Sequence, residues 1–95
     1  MKNRPRVTSL TTARGKPMAN QYVIETTEGT YLQSYNVLIA FIPNNHNLKT
    51  QLDEKYWAWS NTTSKARNLF LGEKRDETEQ KIKNHEYQLV NLNEE

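Results

Sequence analysis

The stretch Tyr56-Trp57-Ala58-Trp59-Ser60-Asn61-Thr62-Thr63-Ser64-Lys65-Ala66-Arg67 holds the residue types and spacing most able to do chemistry. It puts hydroxyls and free backbone amides at a helix start, where N–H groups and the helix dipole attract an anion. At 100° per residue, Lys65 and Arg67 lie about 200° apart, so they flank the apolar stripe and form no single patch. A phosphate at the tip would meet Thr62, Thr63, Ser64 and one of the two bases. Tyr56, Trp57 and Trp59 would be placed to stack on nucleobases. A plainer reading uses the same residues: the hydroxyls cap the helix, and at least one Trp belongs to the core.

No other group of residues points to a reaction. Nucleophilic catalysis needs a base beside a Ser, Thr or Cys. The histidines are His46, in the turn-like run Asn44-Asn45-His46-Asn47, and His85, where a helix ends and a cationic ring meets the dipole favourably. Asp53-Glu54 and Asp76-Glu77 are adjacent pairs whose side chains point apart, and no His-x-x-x-His or carboxylate ladder is present. Gly15, Gly29 and Gly72 are isolated, so there is no glycine-rich phosphate loop. The expectation is a binding protein and not an enzyme, with no catalytic residue, no cofactor and no metal site.

Charge placement says more than the net +2 of the 95 residues. Residues 1–24 carry Lys2, Arg4, Arg6, Arg14 and Lys16 and no acid, and residues 55–72 carry Lys55, Lys65 and Arg67 and no acid. Acids cluster at 73–79 and at the C-terminal end. The basic N-terminal residues therefore join Thr62–Arg67 as candidate nucleic-acid contacts; a solvated basic tail is the plainer alternative. Cysteine is absent, which excludes disulfides and thiolate metal sites. Met1 to Arg6 leads into Val7-Thr8-Ser9-Leu10 and reads as no signal peptide. The longest apolar run, Val37 to Ile42, is too short to span a bilayer, so no membrane partner is expected.

The elements that must position these residues follow from period and punctuation. Val7, Ser9 and Thr11 alternate with Thr8, Leu10 and Thr12, which allows a short edge strand, and Ala13 to Ala19 reads as a loop. Tyr22-Val23-Ile24 and Thr30-Tyr31-Leu32 flank Thr27-Glu28-Gly29, a hairpin in which Gly29 would supply a positive φ. The length and β-branched content of Val37 to Ile42 favour a strand buried on both faces, with a short helix as the alternative that periodicity leaves open, and a turn over 43–47 returns the chain into Leu48 to Leu52. Tyr56 to Trp59 reads as extended, with both indoles on one side. A first helix would be capped by Thr62 or Thr63, with Ala66, Leu69 and Phe70 buried, and would stop at Gly72. A second would open at Asp76 with Glu79 three residues on, carry Glu77–Lys81 and Glu79–Lys83 pairs, and end near Asn84-His85. Tyr87 to Leu92 reads as a last strand. The fold class is α+β, a small mainly antiparallel sheet with two short helices packed on it. The organisation is a basic, partly flexible segment 1–19, one domain over 20–92 and an acidic tail 93–95.

Ser34-Tyr35-Asn36-x-x-Ile39-Ala40, then an aromatic-Ser60-x-Thr62-Thr63-x-Lys65, Phe70-Leu71-Gly72 and Glu86-Tyr87-x-Leu89-x-x-Leu92, resemble a family of small proteins of unknown function carried by phages of Gram-positive bacteria and related mobile elements. The likeness covers roughly residues 20–92. That family often has Tyr where this chain has Trp59. The resemblance implies a viral accessory protein in the host bacterial cytoplasm and no particular activity. The expected partner is nucleic acid, met through the basic N-terminus and the Thr62–Arg67 helix start. The alternative is a host or anti-phage defence protein, bound and inhibited through the exposed part of the 56–59 segment.

Overall fold

The chain's structure, a computed structural model, describes residues 5–93. Lys2, Arg4 and the last two residues of the acidic tail lie outside the described residues. Six strands and two helices follow in the order β1 (Arg6–Thr11), β2 (Pro17–Glu25), β3 (Gly29–Ser34), β4 (Val37–Pro43), β5 (Thr50–Asp53), α1 (Asn61–Leu71), α2 (Arg75–Lys83) and β6 (Tyr87–Val90). The strands form one sheet in sequence order. β1 to β5 run as an antiparallel meander, and β6 lies parallel to β5. A parallel neighbour needs a long crossover, and α1 and α2 supply it. This is the α+β arrangement the sequence pattern predicts. β1 is the edge strand that the alternation over residues 7–12 allows.

Register sorts the strand residues between two faces. Thr8, Val23, Leu32, Ala40 and Leu52 lie opposite one another across five strands. Leu32, Ala40 and Leu52 are fully buried, and they form the core with Leu10, Ile39 and Ala66 of α1. This is the face the helices cover. β4 carries a bulge: Leu32 pairs with Ala40 but Gln33 with Leu38, which leaves Ile39 as the extra residue, turned into the core. The opposite face holds Val7, Ile24, Tyr31, Phe41 and Gln51 in one row and Ser9, Tyr22, Gln33 and Leu38 in the next. Tyr31 and Phe41 pack there with ring centroids 4.4 Å apart.

The β2–β3 turn departs from expectation. Positive φ among the glycines occurs at Gly15 and Gly72, not at Gly29. Thr26 closes this turn instead: its amide and its hydroxyl each donate to the Gly29 carbonyl at 2.8 Å. Gly29 is needed for close approach, because a Cβ there would meet the Phe41 ring at 2.7 Å and collide with the Ile42 carbonyl oxygen.

Both helices start differently from the sequence reading. Ser60, not Thr62 or Thr63, caps α1: its Oγ accepts from the Thr63 amide at 3.1 Å. The buried stripe of α1 is Thr63, Ala66 and Arg67, with Phe70 half-buried, and Leu69 is 40% exposed. The spacing i, i+3, i+4, i+7 is regular, but a Thr and an Arg occupy two of its places. The capping box of α2 sits two residues earlier than expected, at Lys74 and Glu77 in place of Asp76 and Glu79: the Lys74 amide donates to Glu77 Oε1 at 2.9 Å, and the helix runs from Arg75. Its ion pair is Arg75–Glu79, 3.5 Å, in place of the expected Glu77–Lys81 and Glu79–Lys83 pairs.

Lys81 is engaged elsewhere. Glu73, in the α1–α2 link, accepts from Thr78 Oγ1 at 2.6 Å, Lys81 Nζ at 2.8 Å and Tyr87 Oη at 2.9 Å. This latch ties both helices to β6. Burial alone would push the Glu73 carboxyl up, but the hydrogen bonds from Lys81, Thr78 and Tyr87 outweigh it and hold the group below its ordinary value. Burial, and then Glu73, push the Tyr87 phenol up to about 12. A depressed carboxyl contributes stability that is present above its unfolded pKa and lost as pH falls through the folded one; a raised phenol contributes stability present below its unfolded pKa and lost as pH rises toward the folded one. Melting temperature is therefore expected to fall below the 4.5 ordinary for a Glu, and again between pH 10 and about 12. Tyr87→Phe should flatten the alkaline limb relative to wild type. Parallel alkaline limbs for the two proteins would contradict the latch.

Candidate nucleic-acid interface

One end of the sheet collects most of the residues of interest. Gln21 pairs with Ser34, and Thr11 with Pro17, so the β1–β2 hairpin runs on past the end of β3. Its tip carries Arg14 and Lys16, both exposed. The two-residue β3–β4 turn, Tyr35-Asn36, lies at the same end. β5 enters the 54–60 segment there, because Leu52 pairs with Ala40 and the next residues run toward Val37. Arg6 faces Glu25 at the other end of the sheet, so the basic N-terminal residues do not form one patch.

The 54–60 segment is a series of turns, not an extended strand, which corrects the sequence reading. Asp53 sets it: Oδ2 accepts from the Lys55 and Tyr56 amides at 3.0 and 2.9 Å, and Oδ1 accepts from the Leu92 amide and from Asn93 Nδ2 at 2.8 and 3.0 Å. Asn93, read as the start of an acidic tail, is thereby part of the fold, and it also bonds both backbone groups of Leu38. The Trp57 amide donates to the Asp53 carbonyl at 3.0 Å and the Trp59 amide to the Tyr56 carbonyl at 3.2 Å. In such a coil, residues two apart point different ways, so the two indoles separate. Trp57 packs on the core, with the guanidinium carbons of Arg67 and Arg75 5.2 and 5.6 Å from its ring centre. Trp59 is 61% exposed and meets Tyr56 edge to face at 5.0 Å.

Tyr35, Tyr56 and Trp59 surround a pocket of about 220 Å³ whose polar lining includes Ser34 and Thr63. Ser34 Oγ and Thr63 Oγ1 are 2.9 Å apart and both residues are buried. Tyr35 has φ 57°, a left-handed conformation that costs a residue with a Cβ about 1–2 kcal/mol. Its amide donates to the Asn20 carbonyl at 2.7 Å and its carbonyl accepts from Gln33 Nε2 at 2.8 Å. The result is an aromatic ring, 51% exposed, held at the pocket's edge. Tyr35 entered the sequence reading only through the Ser34-Tyr35-Asn36 motif. Its position in a two-residue turn was the available signal for exposure.

The start of α1 adjoins this pocket. Its first turn has no acidic residue, and the amides of Asn61 and Thr62 make no hydrogen bond among the described residues. Thr62 and Lys65 are exposed, and Ser64 is half-buried. Thr63 and Arg67, counted with them from the sequence, are buried and cannot meet a phosphate. Arg67 Nη1 donates to the Trp57 carbonyl at 2.6 Å and Nη2 to Asn68 Oδ1 at 3.0 Å. Burial, and then Arg75, lower its pKa. Lys55, not among the candidate contacts read from the sequence, holds its ammonium 5.3 Å from the Tyr56 ring centre.

Among the described residues no group of three or more potential ligands could hold a metal ion, no histidine side chain bonds a hydroxyl, and no helix is long and apolar enough to cross a membrane. What this end offers is cations, exposed aromatic faces and free amides. The sequence pattern of a family of unknown function (DUF8033) matches residues 6–88. No curated protein and no solved structure matches the chain.

Proposed function

The chain belongs to this family of unknown function, and we propose that it is a non-enzymatic accessory protein that binds nucleic acid at the end of the sheet holding Tyr35, Tyr56 and Trp59. The observation that carries the reading is the meeting, at that end, of exposed Trp59 and Tyr35 with Arg14, Lys16 and the acid-free start of α1. Cations neutralise phosphates, and exposed aromatic faces stack on unpaired bases whatever their sequence. A tyrosine kept in a costly backbone conformation at a pocket edge fits a binding role, since such strain persists where the surroundings enforce it and clusters at ligand sites. The proposal differs from the sequence expectation in its residues: Thr63 and Arg67 become internal supports, and Arg6 stands apart. The likeness of the 34–40 and 59–65 segments to small phage proteins supports placing the protein with a phage or mobile element in the bacterial cytoplasm.

The test is fluorescence anisotropy with labelled single-stranded DNA and RNA over a salt series. Affinity should fall as salt rises, because phosphate contacts release counterions. Trp59→Ala should weaken single-strand binding by about 1–3 kcal/mol and leave the melting temperature nearly unchanged, because the indole is exposed. Absence of salt-sensitive binding at micromolar protein would overturn the proposal. The exposed Trp59 would then be an anchor for a protein partner, a host or anti-phage factor.

A further inference from the structure

The pocket beneath Tyr35, Tyr56 and Trp59 has a floor whose hydrogen-bonding capacity the fold does not use up. Ser60 Oγ accepts from the Thr63 amide and donates to Thr63 Oγ1, both at 3.1 Å. Thr63 Oγ1 and Ser34 Oγ share one further bond at 2.9 Å. Three hydroxyls carry three protons, and this chain of bonds uses two. With the Ser60 proton given to Thr63, one proton of the Ser34–Thr63 pair has no acceptor among the described residues. Gln21 stands beside Ser34, one strand away on the same face of the sheet. It is fully buried, and neither its Oε1 nor its Nε2 has a hydrogen-bond partner among the described residues. Buried polar groups are nearly always paired, because leaving one unpaired is costly. The neighbours of these two residues are strained. Asn20 and Tyr35 have φ of 65° and 57°, and the Tyr35 amide donates to the Asn20 carbonyl at 2.7 Å. Unspent polar groups and strained backbone together mark a place built for a ligand.

We infer that this pocket takes one unstacked nucleobase, held by a hydrogen bond from the Ser34–Thr63 hydroxyl pair to a carbonyl oxygen or ring nitrogen at the base's edge. The inference rests on the proposed nucleic-acid binding and adds a contact to it. Stacking on Trp59 and Tyr35 accepts any flat ring, whereas a hydroxyl donor at the floor requires an acceptor on that ring. Charge selects the part of the strand that enters. No charged side chain lines the pocket, so a neutral group goes in and the phosphates stay outside, where Lys65 is exposed at the adjoining start of α1. Size agrees. The volume of about 220 Å³ lies below the roughly 300–1,000 Å³ of sites for drug-sized ligands and suits a single planar ring system. Ser34 and Thr63 are covered in this structure, so a base reaches them by displacing a ring of the rim. Trp59 is the most exposed of the three and has the least packing to lose.

The experiment compares wild type with Ser34→Ala on two labelled single strands of equal length, by fluorescence anisotropy over a salt series. One strand is all thymine. The other carries difluorotoluene, the non-polar isostere of thymine, at every position; it keeps the ring shape and the phosphates and loses the strong acceptors. Ser34→Ala should weaken binding of the thymine strand roughly 3- to 10-fold, the scale of one hydrogen bond. It should leave the isostere strand unchanged, because stacking and phosphate contacts survive the substitution. Unchanged isostere binding also shows that the variant is folded. An equal effect on the two strands, including no effect on either, would overturn the inference, while salt-sensitive binding of both would leave the nucleic-acid proposal standing. Absence of salt-sensitive binding to the thymine strand by wild type would overturn both.

Discussion

Arg67→Ala is expected to lower the free energy of unfolding by about 3–5 kcal/mol, measured by chemical denaturation. The side chain is fully buried, and truncating it leaves a cavity beneath Trp57. It also leaves the Trp57 carbonyl without the 2.6 Å bond that fixes the 54–60 turns. Arg67→Met separates volume from charge. No carboxylate lies within salt-bridge distance of Arg67 among the described residues, so the cost of burying this cation is not offset by an ion pair. Met keeps most of the packing and removes that cost, and should lose only about 1–2 kcal/mol, the scale of an unsatisfied carbonyl. An Arg67→Ala loss under about 1 kcal/mol would show that the guanidinium is solvated in solution. It would then return to the candidate phosphate contacts.

The second large effect is on binding. Replacing Arg14, Lys16 and Lys65 together by Ala should weaken single-strand affinity roughly 30- to 100-fold at low salt and reduce the log K against log salt slope by about 2, at about 0.7 per phosphate contact. All three side chains are exposed, so stability should change by no more than about 0.5 kcal/mol. The loss should be similar for all sequences, since phosphate contacts do not read bases. An unchanged slope would remove these residues from the interface.

Most of the strands and the α+β class were legible because apolar period and turn residues report backbone geometry directly, although β2 begins at Pro17, inside the stretch Ala13 to Ala19 that reads as a loop. Val37 to Ile42 read correctly as a strand for that reason; Ile39, Ala40 and Phe41 are buried, while Val37, Leu38 and Ile42 are only half-buried. Side-chain fate was less legible. In α1 the apolar residues alone suggested Leu69 as core, whereas packing selected Thr63 and Arg67, a hydroxyl matched to Ser34 and a guanidinium matched to a carbonyl. Polar residues whose partners lie far along the chain carry no local signal of burial. Tyr56 to Trp59 reads as β-prone, but two amides bonded to Asp53 coil it and part the indoles. Gly29 was correctly singled out for the wrong reason: a neighbouring strand, not its own φ, excludes a side chain there. Which apolar residues share the sheet face away from the helices was invisible until register fixed it.

The most direct test of nucleic-acid binding at this end of the molecule is a two-dimensional ¹H–¹⁵N NMR titration of the protein with a short single-stranded oligonucleotide. Salt-sensitive shifts are expected, concentrated at residues 14–16, 35–36, 55–65 and the Trp59 indole. The 26–28 and 44–48 turns at the opposite end should stay still. Shifts centred on Val7, Ile24 and Tyr31, or no shifts at all at low salt, would contradict it.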